Sequence, residues 1–385
     1  MMLPKIRLFL LLFAWALILS VGEVNPAAGQ QKKVVIPPLL SDKTALELLE
    51  KGLPLMYGHD FAQAQRYFAE VQARHPEHPV TPLLNALLIF WQHMPFDNFE
   101  GKNFKQHSYF LEKTIAASQK MLDVNPNDVE GVFFMLTARG LLMQHYNERG
   151  ESMQAVGEAK QLYGLIKTAF DLRSQNVELN FMTGLYSYYR AYYPERYPVY
   201  RPFVIFFKEG NKKEGLENLE TCTQKAIFTA NEAAGYLTHI YLRYENNHEK
   251  ALAHSRRLAQ RFPNNPHYVA AFIETALLTK RYDEAAQMLP ALQKSQRPLF
   301  MAAAQVFNGI LAEFQRKDLT AAVKFYQAAE NLLLAEKIGY ANPYKLYTYA
   351  GLYRYYKQQR NQPVAQRYYK QAKALDDYEY LKSDF

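Results

Sequence analysis

Cysteine is nearly missing from this chain: Cys222 is the single one in 385 residues. That excludes an intrachain disulfide and any zinc site needing several thiolates. Cys222 falls inside a helical pattern, where a buried, inert thiol is the expected role. Long basic runs are also missing. The net charge is +8, but Lys and Arg alternate with acids and never reach five in a row, so no nucleic-acid partner is expected. After Val21 no segment is long and apolar enough to span a bilayer. The ten histidines do not fall at metal-ligand spacings; His75 and His78 flank Pro76 in a turn, and there is no HExxH. Glu209-Gly210-Asn211-Lys212-Lys213-Glu214-Gly215 lacks the second glycine followed by Lys-Ser/Thr of a phosphate loop, and no Ser or Cys stands in a nucleophile elbow. No catalytic residue, metal ligand or cofactor is expected, and the chain reads as a non-enzyme.

What the chain does have begins with a leader. Lys5 and Arg7 precede an apolar run of fourteen residues, Leu8 to Val21, broken only by Ser20. Ala27-Ala28-Gly29 supplies the small residues read by a signal peptidase, so residues 1–29 are expected to be a signal peptide cleaved after Gly29. Such a run makes a helix of roughly 21 Å, short of the ~30 Å hydrocarbon core; an uncleaved anchor is the rival reading. No cysteine follows the run, so the protein is not expected to be a lipoprotein. The expected location is exported, periplasmic or extracellular.

Residues 30–40, with Lys32-Lys33 and Pro37-Pro38, read as a flexible lead-in. From Ser41 onward apolar residues recur at helical spacing. Proline-containing turns such as Phe262-Pro263-Asn264-Asn265-Pro266 divide the pattern into helical hairpins. The centre of the pattern is Asn231 to Arg297, where Ala251 and Ala285 lie thirty-four residues apart in matching surroundings. Ala64, Ala322 and Ala365 follow the same rule. A small residue at that place lets two helices approach to about 8–10 Å, and an aromatic one turn on fills the space beside it. Phe68, four residues after Ala64, and Tyr369, four after Ala365, take that place. Residues 41–230 read as irregular hairpins, 231–376 as regular repeats and 377–385 as a tail. Between two helices of the irregular part lies a Tyr/Pro-rich insert, 191–210, whose Pro194, Pro198 and Pro202 predict an interrupted helix. Phe203-Val204-Ile205-Phe206-Phe207 forms an apolar cluster within it.

A thirty-four-residue period with alanine in the seam resembles the tetratricopeptide repeat (TPR) family, as found in secreted bacterial proteins. The resemblance covers about half the chain, through the five hairpins whose seam alanines are named above. It implies an all-α, right-handed superhelix, an α-solenoid of about eight antiparallel hairpins. A narrower resemblance runs through Gly184-Leu185-Tyr186 and Glu209 to Glu217. It is to the eukaryotic TPR family linked to inclusion-body and lipid-droplet clearance.

In TPR proteins the first helix of each hairpin lines a concave groove. Carried over by position, that implies groove residues Tyr236, Arg243 and Tyr244, then His267 and Glu274, then Phe307 and Phe314, then Tyr347, Arg354 and Lys357. Rigid aromatics mixed with cations suit a peptide or extended protein segment. The insert offers a second candidate in Tyr189, Arg190, Tyr192, Tyr193, Arg196, Tyr197 and Tyr200. These residues suit a partner-binding knob or a platform for sugar rings, or else pack back on the helices. The expected function is an exported scaffold or adaptor for protein–protein interaction in the cell envelope. The alternative is a solute- or glycan-binding helper for transport that uses the insert.

Overall fold

The computed structural model describes residues 36–94, 96, 100–336 and 339–375. The leader, most of the lead-in and the tail lie outside the described residues. Among these residues the chain is all-helical, with no strand, and the helices pair as antiparallel hairpins.

The first hairpins are α1 (Lys43–Tyr57) with α2 (Phe61–Arg74), α3 (Val80–His93) with α4 (Lys102–Val124), and α5 (Val129–Arg149) with α6 (Ser152–Leu172). Then come α7 (Leu179–Arg196), the one-turn α8 (Arg201–Val204) and α9 (Lys212–Lys225). The later hairpins are α10 (Ala230–Arg243) with α11 (His248–Arg261), and α12 (Pro266–Leu278) with α13 (Tyr282–Gln293). They continue with α14 (Pro298–Ile310) and α15 (Leu319–Leu333), then α16 (Asn342–Gln358) and α17 (Gln362–Lys373). Helices α7 and α9 pair across the insert, so eight hairpins result among the described residues. The helix is interrupted within the insert, as its three prolines predict, but α7 runs through Pro194 and stops only at Arg196. The described residues fall into two units, 36–233 and 234–375.

The repeat is written in the turns as well as in the seam. Ala64, Ala251, Ala285, Ala322 and Ala365 are all buried, as the spacing predicts. Four residues before four of them stands a capping residue, Asp60, Asn247, Asp318 or Asn361, whose side chain accepts the free N–H at the third helical position. Five residues before each alanine stands His59, Asn246, Lys280, Lys317 or Arg360 with φ between 50° and 65°. This left-handed residue reverses the chain so that the second helix can fold back. The aromatic beside the seam differs in one hairpin. Tyr368, three residues after Ala365, is the buried ring, while Tyr369 is half-buried against Tyr353. 

The unit 36–233 holds its loops with buried carboxylates. Glu130 accepts the N–H groups of Leu39 and Leu40 and pairs with His78 at 2.7 Å. Burial alone would raise its pKa, but these hydrogen bonds outweigh burial and hold it below the usual value. Glu178 accepts the N–H groups of Ile227, Phe228 and Thr229 and the Thr229 hydroxyl, capping the entry to α10. Helices α7 and α9 meet backbone to backbone: a Cβ on Gly215 would lie 2.7 Å from the Gly184 carbonyl oxygen. 

Candidate functional site

The sequence-predicted groove residues fall in one unit, 234–375, on its first helices α10, α12, α14 and α16 or just beyond them. The structure sorts them into two sets. One set is engaged in internal polar clusters. Arg243 of α10 donates to Glu274 of α12 at 2.6 Å, and Tyr347 of α16 donates to the same carboxylate at 2.8 Å. The Arg243 and Glu274 side chains are 5% and 7% exposed, so this pair stands nearly dry. Burial and the adjacent carboxylate push the Tyr347 hydroxyl well above its ordinary pKa, so it stays a donor.

A second cluster lies further along the same unit. A π-helical turn, Leu311–Gln315, continues α14 and carries Glu313. Arg354 of α16 clasps that carboxylate through two nitrogens, at 2.5 and 2.9 Å, and Tyr326 of α15 donates to it at 2.7 Å. The Arg354 guanidinium also lies over the Phe314 ring, 5.2 Å from its centre. Each cluster therefore joins three helices through one carboxylate. Charge-assisted, two-point contacts of this kind fix side-chain geometry more tightly than apolar packing alone.

The other set stays accessible. Tyr236, Tyr244 and His267 are half-buried, Phe314 is 37% exposed, and Lys357 is exposed with its ammonium 5.1 Å from the Tyr353 ring centre. His267 packs edge-on against Phe300 at 4.7 Å. Phe307 is fully buried and offers no surface. Tyr244 packs edge-on against His239, which burial and the nearby Arg243 keep neutral. Glu313, Tyr326 and His239 were not singled out from the sequence. Glu313 escapes a register argument because the π turn shifts the helical phase by one residue at that point.

The insert folds back on its own helix. Tyr188 and Tyr192, Tyr189 and Tyr193, and Tyr193 and Tyr197 stack one turn apart, with ring centres 5.7–6.3 Å apart. Tyr189, Tyr193 and Tyr200 are buried, and Tyr192 and Tyr197 are half-buried. Arg190 donates to the Val204 carbonyl and Arg201 to the Pro194 carbonyl, which ties the segment 201–204 to α7. Arg196 is exposed over the Tyr197 ring. Four apolar side chains of the insert are exposed: Val199, Phe203, Ile205 and Phe206.

A cavity of about 280 Å³ lies between α4 and α5, lined by Phe104, Ser108, Tyr109, His145, Tyr146 and Arg149 among others. Behind it His145 packs on His107 at 4.4 Å, both buried. Among the described residues no three His, Cys, Asp or Glu side chains gather as a metal site requires. No helix among them is long and apolar enough to cross a membrane.

The chain is thus an all-α protein of antiparallel helical hairpins. No protein-family model and no curated protein matches it. Among solved structures it is similar to a human IFIT1 dimer with PPP-AAAA, at 13% identity and a TM-score of 0.36, over 87% of this chain and 95% of that one. The human IFIT1 dimer with m7Gppp-AAAA gives a TM-score of 0.37 with the same identity and coverage. At these scores no functional argument follows from the likeness.

Proposed function

We propose that this chain is an exported, TPR-like scaffold that docks another protein on the first-helix face of residues 234–375, without catalysis of its own. One observation carries the reading. Two buried carboxylates, Glu274 and Glu313, each hold an arginine and a tyrosine from other helices, and the same first helices or the turns just after them carry the accessible side chains Tyr236, Tyr244, His267, Phe314 and Lys357. A face fixed in this way loses little entropy on binding, and half-exposed aromatics beside cations are the side chains that anchor interfaces. An extended peptide segment fits it better than a second folded core, because its anchors are spread along successive helices. The signal-peptide reading of residues 1–29 places this scaffold in a bacterial envelope or outside the cell.

A crosslinked pull-down from the native envelope, read by mass spectrometry with and without nuclease treatment, tests the reading. One or two protein partners are expected that survive nuclease. Combining Tyr244→Ala with Phe314→Ala is expected to lose them while the helical circular dichroism is kept. Partners lost on nuclease treatment, or retained by the double variant, overturn the reading. The intact mass of the purified chain checks export: a chain beginning at Gln30 is expected.

A further inference from the structure

Among the described residues exposed apolar side chains are mostly scattered, as is usual for a folded surface. One group is not. Val199 is 66% exposed, Ile205 68% and Phe206 74%, with Phe203 beside them at 39%. All four lie within eight consecutive residues, on α8 and the turns that flank it. Their neighbours Tyr200, Val204 and Phe207 are buried and anchor the segment to the body, Phe207 packing edge-on against Tyr163 of α6 at 4.8 Å. The backbone is pinned as well: the Lys208 N–H donates to the Tyr163 hydroxyl and the Tyr186 hydroxyl donates to the Lys208 carbonyl. Exposure of three-quarters marks a projecting tip, since a ring lining a groove is shielded on both sides. The tip is held out by its anchors and is not a frayed end.

The charge around the tip has one prevailing sign. Residues 194–213 contain five cations and two carboxylates. Of those carboxylates Glu195 is neutralised by Lys212 at 2.9 Å, which leaves Glu209. Lys167 and Lys208 lie over the Tyr163 and Phe170 rings of α6, and Arg196 and Arg201, close to the tip in sequence, are exposed. A projecting cluster of Phe and Ile, set among Lys and Arg with tyrosines at its base, matches a bilayer interface. Apolar tips enter the acyl boundary, aromatic hydroxyls stay at headgroup depth and cations meet anionic headgroups.

We infer that the tip formed by Val199, Phe203, Ile205 and Phe206 is a membrane-docking wedge that inserts into an anionic lipid surface. The wedge belongs to the unit 36–233 and the protein-docking face to 234–375, so this inference does not rest on the reading above. The wedge makes the chain a peripheral membrane protein by a route other than its leader. The apolar side chains supply adhesion and the cations supply selection for negative lipid, so binding weakens with salt.

The test uses a site-specific probe, so that the leader does not confuse the result. Ile205→Cys in the full chain is labelled with the environment-sensitive dye NBD; Cys222 is buried and stays unlabelled. Vesicles of phosphatidylglycerol and phosphatidylcholine are expected to shift the emission to the blue and raise its intensity several-fold. Pure phosphatidylcholine is expected to bind at least tenfold more weakly. A control label at Leu334→Cys, exposed but standing alone, is expected to stay unshifted. Adding Phe206→Glu is expected to weaken the vesicle response at least tenfold with the helical signal unchanged. No shift with anionic vesicles, or an equal shift with neutral ones, overturns the inference. So does a shift that grows with protein concentration in the absence of lipid, since a second copy would then cover the tip.

Discussion

Gly351 of α16 lies so close to the Tyr326 ring of α15 that an added Cβ would overlap it. Gly309 of α14 presses on the other edge of the same ring, where a Cβ would lie 2.5 Å from its nearest atom. The ring is thus gripped between two first helices, and its hydroxyl reaches Glu313. Gly351→Ala must push the ring or a helix aside and lose that hydrogen bond. The expected cost is about 1–3 kcal/mol or more, read as a lower urea midpoint. Tyr326→Phe keeps the ring and is expected to cost about 1 kcal/mol through the one lost hydrogen bond, since Arg354 still holds the same carboxylate oxygen.

Breaking the Arg243–Glu274 pair is expected to be costly, because both side chains are buried and each would leave the other uncompensated. Glu274→Ala is expected to destabilise by roughly 3–5 kcal/mol. Tyr347→Phe, which removes one hydrogen bond to the same carboxylate, is expected to cost about 1–2 kcal/mol. The two effects should not add, and a double-mutant cycle in urea measures the coupling.

The left-handed turn residues give a test with opposite signs. Lys317 has φ of 58°, a conformation that glycine adopts without Cβ crowding. Lys317→Gly is expected to hold or raise the melting temperature. Lys324→Gly, on the exposed side of α15, is expected to lower it by the equivalent of about 1 kcal/mol. Paired thermal melts decide the matter.

Acid should attack the unit 36–233 through its buried histidines. Burial drives the His107 pKa far below its ordinary value and that of His145 down to about 3. A group whose folded pKa is depressed contributes fully above its unfolded value, near 6.5, and that contribution is lost as pH falls below it. Each histidine is expected to remove up to about 1.4 kcal/mol per pH unit in that window. Neither ring nitrogen of His107 has a hydrogen-bond partner, so His107→Phe replaces it without stranding a donor. Urea midpoints at pH 7 and pH 5 should differ less in that variant than in the parent chain.

The hairpins were legible because their causes are local. Prolines, asparagines and aspartates punctuate the chain at turns, and alanine recurs where helices cross. The seam alanines named from spacing are the buried ones, and the capping residues four positions earlier do what their side chains allow. The passage through Pro194 was not legible. Its helix is held by packing of Tyr188, Tyr189 and Tyr193 and by Arg201 on the Pro194 carbonyl, contacts made with parts of the fold that a local reading does not weigh.

The candidate site divides along the same line. Sequence by itself determined which residues stand on first helices, since helical phase is a local property. Only the tertiary structure decided that Arg243, Glu274, Tyr347 and Arg354 spend their charges and hydroxyls inside the protein, while Tyr236, Tyr244, Phe314 and Lys357 stay accessible. Partners thirty or seventy positions apart meet through the crossing of helices, and nothing in their neighbours along the chain records it. The insert shows this most clearly. Its tyrosines and its Phe-Ile-Phe cluster are equally plain in the sequence, yet anchoring on α6 and α7 buries most of the tyrosines and leaves Ile205 and Phe206 projecting.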